Sequence, residues 1–215
     1  MSAQPNYSET INFWPAVMDM LAATLMVFVL TSYLETTLQL DDLEIISLRE
    51  KQAQFVSELQ ASMQNDIDNN RLNFQLSPEA ILIRFSDQIL FEPSDYRLKR
   101  NGQDVLRRFG QVLSKNVGDN IQRIQVEGHT DNTPIRMRPG SYDHVYPSNN
   151  WELSSARATS VVLFLSSHVV NLSEQLFSAN GFSSFRPIDR GNTRSAREKN
   201  RRVEIRLIFS NLEER

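Results

Sequence analysis

The chain has 215 residues, a formal net charge of −3 and no cysteine, and its 40% hydrophobic and 23% charged content describes a folded protein. The negative balance argues against non-specific nucleic-acid binding, which requires a basic surface. The absence of cysteine excludes disulfides, Cys-ligated zinc and thiol catalysis, while leaving the cellular compartment open.

The first predicted element is an apolar helix at residues 13–34, which follows a short polar tail at residues 1–12. This run of about 22 residues is long enough to cross a bilayer. Trp14 and Tyr33 lie near its two ends, where aromatic side chains favour the headgroup layer. The tail has no Lys or Arg, and no small-residue cleavage site follows. We therefore expect a retained membrane anchor rather than a signal peptide.

Asp19 is the single charged residue of this apolar run. An ionised carboxylate near the centre of a membrane helix costs roughly 2.5–3.5 kcal/mol on insertion scales, so its presence calls for an explanation. Ala16, Ala22 and Ala23 lie one turn away and form a small-residue face that lets other helices approach closely. One hypothesis is a helix that relays protons or cations. The other is an interfacial aspartate that reaches toward the headgroups.

Residues 35–77 form a polar segment with an apolar stripe, which predicts a helical linker. The stripe recurs at three- and four-residue steps, at Leu40, Leu43, Ile45, Ile46, Leu48, Val56, Leu59, Met63 and Ile67. Two interpretations remain open: an amphipathic connector, and a coiled coil formed with a second copy of the chain. If the helices pair, single cysteines introduced at Leu59 or Met63 should crosslink two copies. The Asn- and Asp-rich stretch from Asn65 to Asn73 favours a break in the helix.

Residues 78–215 alternate strand and helix signals. Residues 81–85, 124–126 and 203–209 alternate apolar and polar side chains, which predicts strands. Residues 105–117 keep helical spacing, and Asn149 followed by Glu152 resembles a capping box that opens a helix to about residue 170. This β-α-β-α-β order predicts an α+β domain, with helices covering one face of a mixed sheet.

A carboxylate and a guanidinium stand out in this domain. Asp131 follows the predicted strand in the sequence Val-Glu-Gly-His-Thr-Asp-Asn, and Arg157 lies near the start of the predicted helix. Held close together, they would bind a zwitterion, with the acid taking an ammonium and the planar fork taking a carboxylate. A plain Asp–Arg salt bridge that fastens the loop is the equal alternative.

These segments, together with Asn-Arg-Arg-Val-Glu-Ile at residues 200–205, resemble the C-terminal domain of outer membrane protein A and of the flagellar stator B subunit (MotB). The resemblance covers about residues 80–209 and implies non-covalent binding of the diaminopimelate of the peptidoglycan stem peptide. It assigns the clamp to Asp131 and Arg157 and supporting positions to Asn150 and Arg202. The residues that shape the pocket would be Thr130, Leu153 and Arg201.

The N-terminal segment around Asp19 is also similar to the stator B subunit. This resemblance implies two copies of the chain inside a ring of five multi-span A subunits, with Asp19 carrying protons or sodium ions. It places the chain in a bacterial inner membrane, with a cytoplasmic N-terminus and a periplasmic C-terminal domain. The short neutral tail is closer to the B subunit of the Zorya anti-phage defence system (ZorB). A flagellar stator subunit and a passive membrane-to-peptidoglycan tether remain the alternatives.

No catalytic function, cofactor or metal site is expected. The three histidines include His129, which we interpret as structural, and His144 and His168, which are too scattered for a metal site. Asp87, Glu92 and Asp95 are interpreted as loop residues that cap the following helix. The loop at residues 133–148 is longer than the family pattern and could recognise an additional group or pack over the site. Its notable side chains are Arg136, Arg138, Tyr142, His144 and Tyr146.

Overall fold

The computed structural model describes residues 13–77, 80–116, 121–135, 146–168 and 173–209, and the chain divides into two compact units, residues 1–46 and 47–215. The helices and strands of the described residues follow in chain order: α1 (Trp14–Asp68), β1 (Leu72–Leu76), β2 (Ala80–Ser86), α2 (Asp87–Leu90), α3 (Arg100–Asn116), β3 (Ile121–His129), α4 (Asn150–His168), a 3₁₀ turn (Glu174–Leu176), β4 (Phe177–Gly181), α5 (Arg194–Asn200) and β5 (Arg202–Phe209).

The first unit contains the apolar part of α1. Trp14–Gln39 is long and apolar enough to cross a membrane, and no other helix among the described residues is. Its large apolar side chains, such as those of Leu25 and Phe28, are exposed. The apolar helix predicted at residues 13–34 is therefore present and continues for another turn.

The second unit is built on a five-stranded sheet in the order β1-β2-β5-β3-β4. β3 and β4 are parallel, and every other pair is antiparallel. The predicted α+β class with a mixed sheet is confirmed. β1 and β4 are the edge strands, and neither was predicted.

One face of the sheet is the apolar core. Ile83 of β2 pairs with Ile205 of β5, which pairs in turn with Val126 of β3, and all three side chains are buried. Phe109 of α3 and Val161 of α4 belong to the same core cluster, so these two helices cover this face. The alternation of apolar and polar residues in the strands produces this arrangement, because successive side chains point to opposite faces.

The apolar stripe of the predicted linker packs into this core. Phe55, Val56, Leu59 and Met63 of α1 are buried within residues 47–215. The expectation that cysteines at Leu59 or Met63 would crosslink two copies is therefore wrong for these positions. A stripe at helical spacing fits any complementary apolar surface, and here the chain's own domain provides it.

The predicted helix break is confirmed. The sheet domain begins directly after it, before the predicted boundary at residue 78. α1 ends at Asp68, Asn70 adopts a left-handed φ of 55°, and β1 follows at Leu72–Leu76. Asparagine tolerates this backbone conformation better than most residues. β1 therefore lies in the stretch that was assigned to the linker.

Two glycines let the start of α4 approach the sheet closely. A Cβ atom at Gly128 of β3 would lie 2.0 Å from the carbonyl oxygen of Ser154, and one at Gly181 of β4 would lie 2.1 Å from Ser155 Oγ. The predicted cap is also present, because Asn149 Oδ1 accepts a hydrogen bond of 3.0 Å from the Glu152 backbone N–H. Together these contacts fix where the N-terminal turns of α4 lie.

Candidate functional site

A polar cleft of about 640 Å³ brings together most of the residues that the sequence singled out. Its lining includes six of the seven predicted binding residues: Thr130, Asp131, Asn150, Leu153, Arg157 and Arg201. Arg194 and Arg197 of α5 and Lys99 add positive charge to the same lining. Its volume is in the range of small-molecule sites.

Asp131 lies just beyond β3 and is nearly buried. Its Oδ2 accepts a hydrogen bond from Arg201 Nη1, and its Oδ1 accepts one of 2.8 Å from the backbone N–H of Thr133. Burial alone would raise the pKa of the Asp131 carboxyl, but the hydrogen bonds from Arg201 and Thr133 lower it overall. Asp131 therefore holds a negative charge at neutral pH.

Arg157 is buried on α4, and its partners come from residues around α2. Its Nη1 lies 2.8 Å from Asp87 Oδ1, although the two atoms lack hydrogen-bond geometry, and its Nε donates to the Asp95 carbonyl oxygen over 2.9 Å. Its guanidinium also lies over the Phe91 ring, 5.0 Å from the centroid. Burial raises the pKa of Asp87, and the positive charges of Arg157 and Arg201 oppose that rise.

Asp131 and Arg157 line the same cleft without pairing with each other. Asp131 pairs with Arg201, and Arg157 pairs with Asp87, while Arg201 Nε also lies 3.8 Å from Asp87 Oδ2. The plain Asp131–Arg157 salt bridge is therefore not formed. Two opposite charges instead border one open volume, which is the arrangement that the clamp hypothesis requires.

The remaining predicted residues of the lining hold the loop that follows β3 or are buried in the wall of the cleft. Asn150 Nδ2 donates to the carbonyl oxygens of Thr133 (3.1 Å) and Asp131 (3.3 Å), which ties the loop to the start of α4. The hydroxyl of Thr130 is buried and has no hydrogen-bond partner among the described residues. Leu153 is buried beside them.

Arg202 lies outside the cleft. With Arg84, Glu127, His129, Glu204 and Arg206 it forms what we call the charge ladder, on the sheet face opposite the apolar core. Glu204 Oε1 accepts hydrogen bonds from Arg84 Nε (2.8 Å) and Arg202 Nε (2.7 Å). Arg202 Nη1 also donates to the carbonyl oxygen of its neighbour Asn200. Arg202 can thus support the site only indirectly, by holding β5 and the chain just before it.

The acids and the histidine of the charge ladder are close enough for metal binding. The ligating atoms of Glu127, His129 and Glu204 all lie within 4.8 Å of one another. Arginines already neutralise both carboxylates, because Arg206 Nε lies 3.7 Å from Glu127 Oε1 in addition to the two bonds on Glu204. A divalent cation would meet guanidinium charges there, so we interpret the cluster as a buried ion network.

Two residues that the sequence interpretation treated as helix caps belong to the site. Asp87 is buried in α2 and pairs with Arg157, and Asp95 supplies a carbonyl oxygen to the same guanidinium. The Asp95 side chain instead binds Arg97, whose Nη2 lies 2.8 Å from Asp95 Oδ2. No spacing rule links Asp87 to Arg157, so only the fold reveals the pair.

The comparisons with known proteins identify this domain. The sequence pattern of the OmpA family matches residues 90–201, about half of the chain. The chain belongs to the OmpA family.

Relatives of this OmpA-family chain include two proteins of Bacillus subtilis. The uncharacterized protein YtxE is 31% identical over 143 residues, which cover 65% of this chain and 54% of YtxE. Motility protein B is 28% identical over 139 residues, covering 65% of this chain and 49% of that protein. The chain thus spans about half the length of the curated relatives it matches.

Solved structures share the fold. The cell wall anchor of the type VI secretion system of Pseudomonas aeruginosa is 26% identical, covers 71% of this chain and 97% of its own, and superposes with a TM-score of 0.60. A MotB-like protein of Desulfovibrio vulgaris, 21% identical, covers 77% and 99% with a TM-score of 0.63. The second likeness supports the fold alone.

Two further predictions fall outside the cleft or outside the described residues. Asp19 lies on the apolar part of α1, where its side chain and those of its small neighbours are exposed. Arg136, Arg138, Tyr142 and His144 of the long loop lie outside the described residues. Tyr146, at the end of that loop, is described, and its ring lies 5.5 Å from the Arg97 guanidinium carbon.

Proposed function

We propose that this chain is a stator-type membrane subunit that anchors an ion-driven assembly to peptidoglycan. The observation that carries the anchor is the cleft, in which Asp131 and Arg157 border one open volume without pairing. The free end of diaminopimelate carries an ammonium and a carboxylate on one carbon. A carboxylate and a guanidinium on the same cleft match these two charges.

The two clamp residues retain capacity for a ligand. A carboxylate has about four lone-pair sites, and Arg201 and the backbone and side chain of Thr133 occupy three of those on Asp131. Arg157 has five N–H donors, with Nε on Asp95 and Nη1 facing Asp87. We assign the ligand ammonium to Asp131 and the ligand carboxylate to Nη2 of Arg157. Both side chains are buried, which strengthens charge-assisted bonds to them.

The anchor is tested by binding of the full-length chain, in detergent, to purified peptidoglycan sacculi. Asp131→Asn keeps the shape of the side chain but removes its charge, and Arg157→Lys keeps a charge facing Asp87 but removes the planar fork. We expect each to weaken binding roughly 10- to 100-fold, the size of one lost charge-assisted hydrogen bond. Arg107→Lys is the matched control, because Arg107 is half-exposed on α3 and absent from the cleft lining. Undiminished binding of both cleft variants would reject the clamp.

The membrane part of the proposal rests on α1 and on the relatives. Trp14–Gln39 has the length and composition of a membrane span, and Motility protein B is among the similar proteins. We place the chain in a bacterial inner membrane as a single-pass, non-enzymatic subunit with a cytoplasmic N-terminus. Its C-terminal domain then faces peptidoglycan in the periplasm.

Asp19 is the proposed ion carrier. A carboxylate on a membrane helix is expensive unless it faces protein or water, and the small residues around it allow neighbouring helices to approach closely. We propose that two copies of this chain lie within a ring of five multi-span A-type subunits, and that protons or sodium ions pass by way of Asp19. The absence of Lys and Arg from residues 1–12 is our reason for proposing the Zorya defence system rather than a flagellar motor.

The alternative is a passive tether, and a specific observation favours it. The domain is 26% identical to a protein described as the cell wall anchor of a secretion system, and anchoring by itself requires no ion flow. The two functions differ at Asp19. A motor subunit requires that carboxylate for ion movement, whereas a tether does not.

The test is ion flux through membranes that contain the chain and its candidate ring subunit, native against Asp19→Asn, at equal assembly. We expect flux to be abolished because the amide cannot take up or release a proton. Phage protection and swimming motility, measured in the same strains, separate the defence role from the flagellar role. Thr24→Asn is the control, since it places the same amide on the same helix. Persistent flux in Asp19→Asn would leave the tether as the function.

A further inference from the structure

Two large aromatic side chains are exposed next to the cleft, and we call them the aromatic platform: Trp151 and Phe185. Trp151 is 52% exposed and Phe185 is 71% exposed. Their ring centroids lie 5.4 Å apart with 24° between the planes, which is a stacked arrangement. The two rings hold each other in place on the surface.

The aromatic platform is continuous with the cleft lining. Trp151 directly follows Asn150, which lines the cleft, and both belong to the first turn of α4. Phe185 lies between β4 and α5, and α5 supplies Arg194 and Arg197 to the same lining. The platform therefore joins two of the elements that border the site.

The chemistry of a stacked aromatic surface limits what it can bind. Its ring faces are apolar and carry the negative part of the ring quadrupole, so they attract polarised C–H bonds and exclude anions. A pyranose ring presents such a face, with several C–H bonds on one side and its hydroxyl groups at the rim. A peptide rich in carboxylates, such as the stem peptide, has no matching flat face.

We propose that the aromatic platform binds a sugar ring of the peptidoglycan glycan strand while the cleft holds the stem peptide. This inference rests on the proposed anchor function and specifies a second part of the same ligand. The spacing agrees with it. Trp151 precedes Arg157 by six residues, roughly 9 Å along α4. Two stem residues, roughly 7 Å when extended, and the length of diaminopimelate itself separate the bound zwitterion from the sugar, so the ligand is long enough to reach the platform.

The experiment compares two soluble probes on the full-length chain in detergent. The first is the disaccharide tetrapeptide released from peptidoglycan by a muramidase. The second is the same tetrapeptide after an amidase has removed the sugars. Both contain diaminopimelate, so both engage the cleft, and only the first offers pyranose rings to the platform.

The informative variants are Trp151→Leu and Phe185→Leu, which keep an apolar side chain but remove the flat ring. We expect each to weaken binding of the disaccharide tetrapeptide roughly fivefold, the value of one stacking contact, and to leave the free tetrapeptide unchanged. Trp151→Phe should recover part of the loss. Leu163→Ala is the control, because Leu163 is an exposed apolar residue on the same helix.

Other outcomes overturn the inference, and they separate it from the proposed function. Equal losses for both probes would mean that the rings contact the peptide or support the cleft. No loss for either probe would show that the platform does not bind sugar, and a simultaneous change in oligomeric state would assign it to a second copy of the chain. Unchanged binding of both probes by Asp131→Asn, or no binding of either by the native chain, would instead reject the anchor function itself.

Discussion

The cleft and the charge ladder use the same side chains, carboxylates and guanidiniums, for opposite purposes. In the ladder, Arg84 and Arg202 both bond one oxygen of Glu204, so the charges satisfy one another within the sheet. In the cleft, Asp131 and Arg157 each have a protein partner but border about 640 Å³ of open volume. A closed ion network supports a fold, whereas an open one supplies unused bonding capacity to a ligand.

We expect the largest effect, a loss of folding stability, when one arginine is removed from the charge ladder. Arg202→Leu leaves the buried Glu204 carboxylate with one fewer cation, and removing one partner of a buried pair costs about 3–5 kcal/mol. Arg84 remains, so we expect the lower end of that range. Thermal unfolding followed by circular dichroism should show a transition lowered by roughly 6–12 °C.

Arg206→Leu provides the matched control for that experiment. Arg206 lies in the same strand and the same ladder, but its side chain is 37% exposed and its Nε is 3.7 Å from Glu127. Glu127 is itself buried, but Arg206 is partly exposed to water and lies farther from its acid than Arg202 does, so the transition should fall by less than in Arg202→Leu. Equal losses from Arg202→Leu and Arg206→Leu would mean that burial does not distinguish the two pairs, and the comparison with the cleft would fail.

The sequence predicted the central strands because burial on one face imposes a visible period. β2, β3 and β5 each place apolar residues alternately on the core face, as in Ile81, Ile83 and Phe85. The edge strands lack that signal. Only Leu72 of β1 is fully buried, and no residue of β4 is. The sequences of these two strands therefore resemble polar connecting segments. Edge strands are short and half-solvated, and their pairing is decided by the neighbouring strand.

The site was predictable where the residues form local motifs and unpredictable where they meet across the chain. Asp131 and Arg157 lie in motifs that resemble a known family, and the fold places both in one cleft. Asp87 and Asp95 come from a distant segment, and nothing in their spacing marks them as partners of Arg157. The apolar stripe containing Leu59 shows a related limit of sequence-based prediction. Its periodicity indicates an apolar helix face but does not indicate which surface that face packs against.

The pH dependence sharpens the comparison, because both acids of the ladder have lowered pKa values, whereas the cleft has one acid with a lowered pKa, Asp131, and one with a raised pKa, Asp87. In the ladder, the His129 ring, whose Nε2 lies 3.7 Å from Glu127 Oε2, and the charge of Arg206 lower the pKa of Glu127, and bonds from Arg202 and Arg84 outweigh burial to lower that of Glu204. A lowered pKa in the folded state gives stability that is present above the unfolded value of about 4.3 and lost as pH falls through the folded value. Burial raises the pKa of Asp87, so its contribution has the opposite sign and is lost as pH rises.

The smallest expected effect is therefore on ligand binding between pH 7 and pH 5. Asp131, whose pKa is lowered by Arg201 and Thr133, stays ionised throughout this range, well above an ordinary aspartate value of about 3.9. Proton uptake by Asp87 would release Arg157 from a competing carboxylate, which favours the ligand. We expect the affinity for the diaminopimelate tetrapeptide, measured by calorimetry, to be equal or higher at pH 5, and Asp131→Asn to stay weak at both values. An affinity that already halves by pH 6 would mean that a group other than Asp131 carries the negative charge of the clamp.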